Sequence, residues 1–135
     1  MVLTRGDTLD VFSGAYDLFL VGAGVTIEPG IDGSLKPAPR CTALLTPGDS
    51  GIEALTIPAQ WVVSYGMAVR DSLTVSSLEP DRAVLALQRE LPTLSGLVLE
   101  QQELPLPIPP GTGAAGVMAL YGALLILNVP PERLV

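Results

Sequence analysis

The residues able to do chemistry in this chain are few, and their types limit what that chemistry is. Histidine is absent, so a Ser–His–Asp relay within one subunit is impossible. The GDSG run at 48–51, otherwise similar to the surroundings of a serine nucleophile, therefore reads as a turn and helix cap. A Ser–Lys dyad has only Lys36 to draw on, in a proline-rich segment. With no histidine and one cysteine, Cys41, a zinc site is excluded. No Asp/Glu spacing resembles a magnesium or calcium loop, and no glycine-rich run ends in Gly-Lys-Ser/Thr, so there is no P-loop. The VGAGVT run offers Gly22 and Gly24 to a dinucleotide turn, but Ile27 stands where the third glycine is needed. Its glycines read instead as a twist or close packing within a strand. Arg5-Gly6-Asp7 spells an adhesion tripeptide and reads as a turn before a helix cap.

Two groups of candidate binding residues remain. Gly22, Gly24, Thr46, Asp49, Ser50 and Tyr65 fall at the carboxyl ends of the early strand segments, where open α/β sheets take their ligands. In the later part, Arg70, Asp71, Asp81, Arg82, Arg89 and Glu90 carry most of the charge and read first as solvated turn and strand ends. If they converge instead, Arg82 and Arg89 are the anion-binding members, because a guanidinium fork suits carboxylate or phosphate. No catalytic residue, metal ligand or cofactor is expected.

The elements that must position these groups are clearest over residues 61–109, where apolar pulses of strand length alternate with turn residues. SLTVSS alternates, with Leu73 and Val75 on one face. RAVLALQREL continues as a strand to 91, and LVLEQQELPLPIP is a long strand that its prolines place toward a sheet edge. Together these form an antiparallel meander with one partly solvated face. The uncharged block that follows predicts a helix over 113–128, roughly 24 Å long at 1.5 Å per residue and short of a ~30 Å bilayer core. A core helix packed on the sheet is the expectation, and no membrane partner.

Earlier in the chain, residues 7–16 suggest a short helix. DLFLVGAGVTIEPG suggests a strand buried on both faces at the centre of a sheet. Residues 29–40, with three prolines and two glycines, form a surface loop. CTALL, a short helix at GIEAL and WVVSYG then make a βαβ unit.

Composition sets the outer bounds. At 135 residues a single domain over 1–135 with a real core is expected. Fourteen acids against seven bases give a formal charge of −7, and scattered cations cannot neutralise a run of phosphates, so no nucleic-acid partner is expected. The opening MVLTRGDTLD has no apolar core of a signal peptide, and one cysteine excludes an internal disulfide. A cytoplasmic setting is the expectation, although a secreted chain without disulfides would carry the same signature.

The order of the pieces resembles the distal half of the Mur ligase central domain, the ATP-dependent amide-forming enzymes of peptidoglycan synthesis. Residues 44–55 (LLTPGDSGIEAL) are similar to that family's strand, Asn-x-Asp-Asp turn and short helix. WVVSYGM at 61–67 is similar to the next strand with its aromatic-Gly ending. The run from DSLTVSSL to the Pro-Gly at 110–111 resembles the hairpin strands, and residues 116–134 the Ala-rich helix. The resemblance spans roughly residues 42–134 and implies the fold. The family's nucleotide-binding His-Asn pair and second Asn fall in register on Gly113, Ala114 and Val117, which have no hydrogen-bonding side chain. Thr46 replaces an Asn, and only Asp49 keeps an acidic position. These 135 residues hold no counterpart of the P-loop half or the C-terminal domain.

The expected fold is thus α/β: a mixed sheet with βαβ units first, an antiparallel meander second, and a C-terminal helix packed on it. The expected function is a non-catalytic Mur-ligase-like binding or assembly module, self-associating or binding a protein partner through a sheet edge or apolar helix face. The alternative is a small-molecule or nucleotide-binding enzyme subunit with its site at the carboxyl ends of the early strands.

Overall fold

The computed structural model describes residues 15–24, 40–49 and 57–135. In chain order the strands are β1 (Ala15–Leu20), β2 (Arg40–Pro47), β3 (Ala59–Tyr65), β4 (Leu73–Leu78), β5 (Arg82–Leu87), β6 (Leu91–Pro92), β7 (Val98–Leu99) and β8 (Gln102–Pro107), followed by the helices α1 (Ala114–Ile126) and α2 (Pro131–Leu134). Six strands make one sheet in the order β1-β2-β3-β4-β5-β8, and β6 and β7 form a separate small hairpin. β1 to β4 run parallel, and β4-β5-β8 is antiparallel. This is the mixed sheet, meander and packed terminal helix that the apolar pulses specify.

The core lies between α1 and one sheet face. Leu45, Val63, Tyr65, Leu73, Leu85 and Leu106 meet Val117, Met118, Leu125 and Ile126 of the helix. Gly122 is the point of closest approach: a Cβ there would lie 2.6 Å from Leu73 Cδ1 and 3.3 Å from Leu45 Cδ2. The helix ends at Asn128, which takes a left-handed φ of 75° and lets the Val129 N–H return to the Leu124 carbonyl. The opposite face is solvated over β3, β4 and β8, where Gln60, Val62, Ser76 and Glu103 are exposed.

Several local expectations change. The first strand stops at Leu20, because Gly24 turns the chain at φ 79°. Gly22 and Gly24 therefore follow the strand rather than twist it. Among the described residues β1 has one neighbour only, so it is an edge strand with Leu20 exposed, not a central one. Ala15 and Tyr16 belong to this strand and not to a helix; residues 7–14 lie outside the described residues, as do 25–39 and 50–56, with the expected GIEAL helix and Ser50.

β5 ends at Leu87 because Gln88 turns to bind the 68–72 segment, and Leu91 enters the small hairpin instead. The long strand expected at 97–109 is broken between β7 and β8 at the polar Glu100 and Gln101. Its proline-rich part does occupy the sheet edge. The Ile108 N–H donates inward to Asp81 O at 3.0 Å, and strand alternation then turns the donor-less nitrogens of Pro105 and Pro107 outward.

Candidate functional site

Because β1, β2 and β3 are parallel, their carboxyl ends share one sheet edge. There the structure gathers most of the first candidate group. Tyr65, fully buried at the end of β3, donates its phenol to Val21 O at 2.7 Å, beside Gly22 at the end of β1. Thr46 is buried on β2, and Asp49 is exposed just beyond it. Burial, with the Asp49 carboxylate adding to it, pushes the Tyr65 phenol up to about 12. Its hydroxyl is thus a neutral donor locked onto the backbone, not an acid or base poised near neutrality.

The residue that dominates this edge is Asp71. Sequence alternation places it with the solvated charges, yet it is 2% exposed. Its carboxylate lies between two glycines that each follow a strand. A Cβ on Gly48 would fall 1.8 Å from Oδ1, and a Cβ on Gly66 would fall 2.5 Å from Oδ2. Oδ2 accepts from the Ala68 N–H at 3.0 Å, whereas Oδ1 is buried with no hydrogen-bond partner. Burying a polar oxygen without a partner costs about 1–3 kcal/mol, so this position is held by its surroundings.

Those surroundings are a set of loop ties. Arg70 donates to Gly48 O at 3.2 Å, and Gln88 Nε2 donates to Asp71 O at 2.8 Å and Ala68 O at 3.0 Å. The Ser72 N–H reaches Ser64 Oγ at 3.3 Å. The Gly48 N–H donates to Tyr65 O and the Gly66 N–H to Leu73 O, closing the β2–β3 and β3–β4 junctions. Segment 66–72 is therefore tied across the ends of β2 and β3, with its own carboxylate between Gly48 and Gly66. At its tip Met67 and Val69 are 70% and 87% exposed.

The two arginines are not brought together. Arg82 opens β5, whereas Arg89 lies beyond its other end, about 20 Å away at ~3.3 Å per residue. Arg82 borders a shallow cleft of 170 Å³ with Ser77, Glu79, Ala83, Val84 and Pro105, next to a register shift between Val75 and Ser77. Arg89 is exposed near the Gln88 tie. Gly113, Ala114 and Val117 sit at the start of α1, with Gly113 as an N-cap that makes no side-chain bond.

Among the described residues no group of three or more His, Cys, Asp or Glu side chains converges to hold a metal ion, and no helix is long and apolar enough to cross a membrane. Sequence reasoning puts Asp71 with the solvated charges of the second group and Gly48 in a turn, and it passes over Gln88 and Gly66. The available signal was the pair of glycines directly after two parallel strands, the close-approach positions that a buried side chain exploits. No protein-family model, curated protein or solved structure matches the chain.

Proposed function

We propose that this chain is a non-catalytic, Mur-ligase-like binding or assembly module of the cytoplasm, without a P-loop. The observation that carries the reading is Asp71 seated between Gly48 and Gly66. At the edge where an open α/β sheet takes a ligand, the chain's own carboxylate and the 66–72 loop occupy the space. An anionic phosphate at that edge would also meet the buried Asp71 and the exposed Asp49, whose charges repel it. The register of the helix supports the same reading, because the family's nucleotide-contacting positions carry Gly113, Ala114 and Val117.

α1 offers an apolar surface to a partner. α1 has no charged residue, and Leu120 on its outer side is 49% exposed. A thermal-shift panel of nucleotides, nucleotide sugars and amino acids tests the proposal. Unchanged melting across the panel supports it. A rise of several degrees with ATP or a nucleotide sugar overturns it in favour of a ligand-binding enzyme subunit.

A further inference from the structure

We infer that the outer edge of β1 pairs antiparallel with β1 of a second copy, joining two sheets into one across a two-fold axis. The pairing rests on the assembly reading above and names its partner. Along a strand, the N–H and C=O of one residue point to one side and those of the next residue to the other. The Val21 N–H donates to Leu45 O, and Leu20 stands beside Leu45 in the β1–β2 register, so Phe19 and Val21 turn their backbone groups toward β2. Tyr16, Leu18 and Leu20 therefore turn theirs the other way, and among the described residues no strand receives them. A row of alternating donors and acceptors fits one kind of occupant, an extended backbone.

The two edges of the sheet differ in a way that selects that occupant. At β8, Pro105 and Pro107 withhold outward donors, and the Pro107 carbonyl is taken by the Tyr121 hydroxyl. Such features keep an edge strand from pairing. β1 carries none of them: its AYDLFL run holds no proline and no lysine, and it keeps one register with β2 throughout. The same run suits a copy of itself. About a two-fold axis at Leu18, Tyr16 meets Leu20 of the second copy and Leu18 meets Leu18 as the hydrogen-bonded pairs, so every outward N–H finds an outward carbonyl. Asp17, the strand's one charge, falls opposite Phe19, and no carboxylate directly faces another. Parallel pairing offsets donors from acceptors along the chain, so two identical strands cannot share it equally across a two-fold axis. With the β8 edge closed, pairing stops at two copies.

Sedimentation velocity of the full chain over a rising concentration series, with amide hydrogen exchange followed by NMR on the same samples, tests the inference. The expected result is a protomer–dimer equilibrium in which the Tyr16, Leu18 and Leu20 amides exchange more slowly as dimer accumulates. The Val21 amide, already given to Leu45 O, is slow at every concentration. Leu20→Pro removes one outward donor from each copy while sparing the bonds to β2, and weakens the dimer at least about tenfold. Leu20→Val keeps that donor at the same exposed position and leaves the equilibrium within about threefold. Circular dichroism checks that both variants fold, and the exchange pattern of the wild-type chain decides the question without them. A monomer at every concentration, a dimer whose Tyr16, Leu18 and Leu20 amides exchange as in the protomer, or a dimer indifferent to a folded Leu20→Pro overturns the pairing. A monomer with a flat ligand panel removes the second copy but keeps the assembly reading, whereas a ligand-induced rise in melting removes that reading whatever the mass.

Discussion

Replacing Gly48 by alanine tests whether Asp71 fills the sheet edge as described. The φ at this position lies outside the left-handed region, so the backbone itself accepts alanine. The added Cβ falls 1.8 Å from Asp71 Oδ1, against 3.4–4 Å for ordinary contact. Either the carboxylate leaves, forfeiting its charge-assisted bond from Ala68 at about 1.5–3 kcal/mol, or the strand end shifts at about 1–3 kcal/mol. Reduced freedom of the unfolded chain returns about 0.4–1 kcal/mol. The net loss is about 2 kcal/mol, read as a lower urea midpoint at unchanged slope. Asp71→Ala alone costs less, about 1 kcal/mol, because it discards the partnerless Oδ1 along with the Ala68 bond. In the double variant the collision has no second party, so its stability should match Asp71→Ala to within about 0.5 kcal/mol. Strictly additive losses, near 3 kcal/mol in total, would refute the placement of Asp71.

Other expectations follow from the same geometry. Tyr65 has a folded-state pKa of about 12 against its ordinary value of 10, so its contribution is complete below pH 10 and is lost as pH rises from 10 toward 12. The lost amount is on the order of 2–3 kcal/mol. Tyr65→Phe should remove that alkaline slope and cost about 1–2 kcal/mol at neutral pH through the abandoned Val21 carbonyl; an unaltered slope in alkaline unfolding curves contradicts this. Gly122→Ala gains about 1 kcal/mol of helix propensity but overpacks Leu73 and Leu45 by about 1–3 kcal/mol, so a melting temperature a few degrees lower is expected. Pro105→Thr restores an outward edge donor on β8 and should raise the aggregation rate on light scattering while leaving the native sheet intact.

Much of the fold was legible because its signals are local. The alternation around Leu73 and Val75 fixed which face of β4 is buried, the prolines marked β8 as an edge, and the uncharged run gave α1 to within two residues at either end. The misplacements came from long-range facts. Whether the apolar DLFL segment is central or at an edge depends on how many neighbours it has, which its own residues do not record. Asp71 looked solvated because its neighbours Arg70 and Ser72 are polar, yet its burial depends on Gly48, more than twenty residues earlier. The convergence of these residues was legible as a place, the carboxyl ends of β1 to β3, but the burial of Asp71 among them was not. Gly22, Thr46, Asp49 and Tyr65 do gather there, whereas Arg82 and Arg89 are held at opposite ends of β5.

The most direct measurement is the melting temperature of the wild-type chain at saturating Mg-ATP. A ligand at one hundred times its dissociation constant adds about 2.7 kcal/mol, which for a chain of this size raises melting by roughly 5–15 °C. With Asp71 occupying the strand ends and no hydrogen-bonding side chain at positions 113, 114 and 117 to receive a nucleotide, the shift should be indistinguishable from zero. A rise of several degrees would contradict the account.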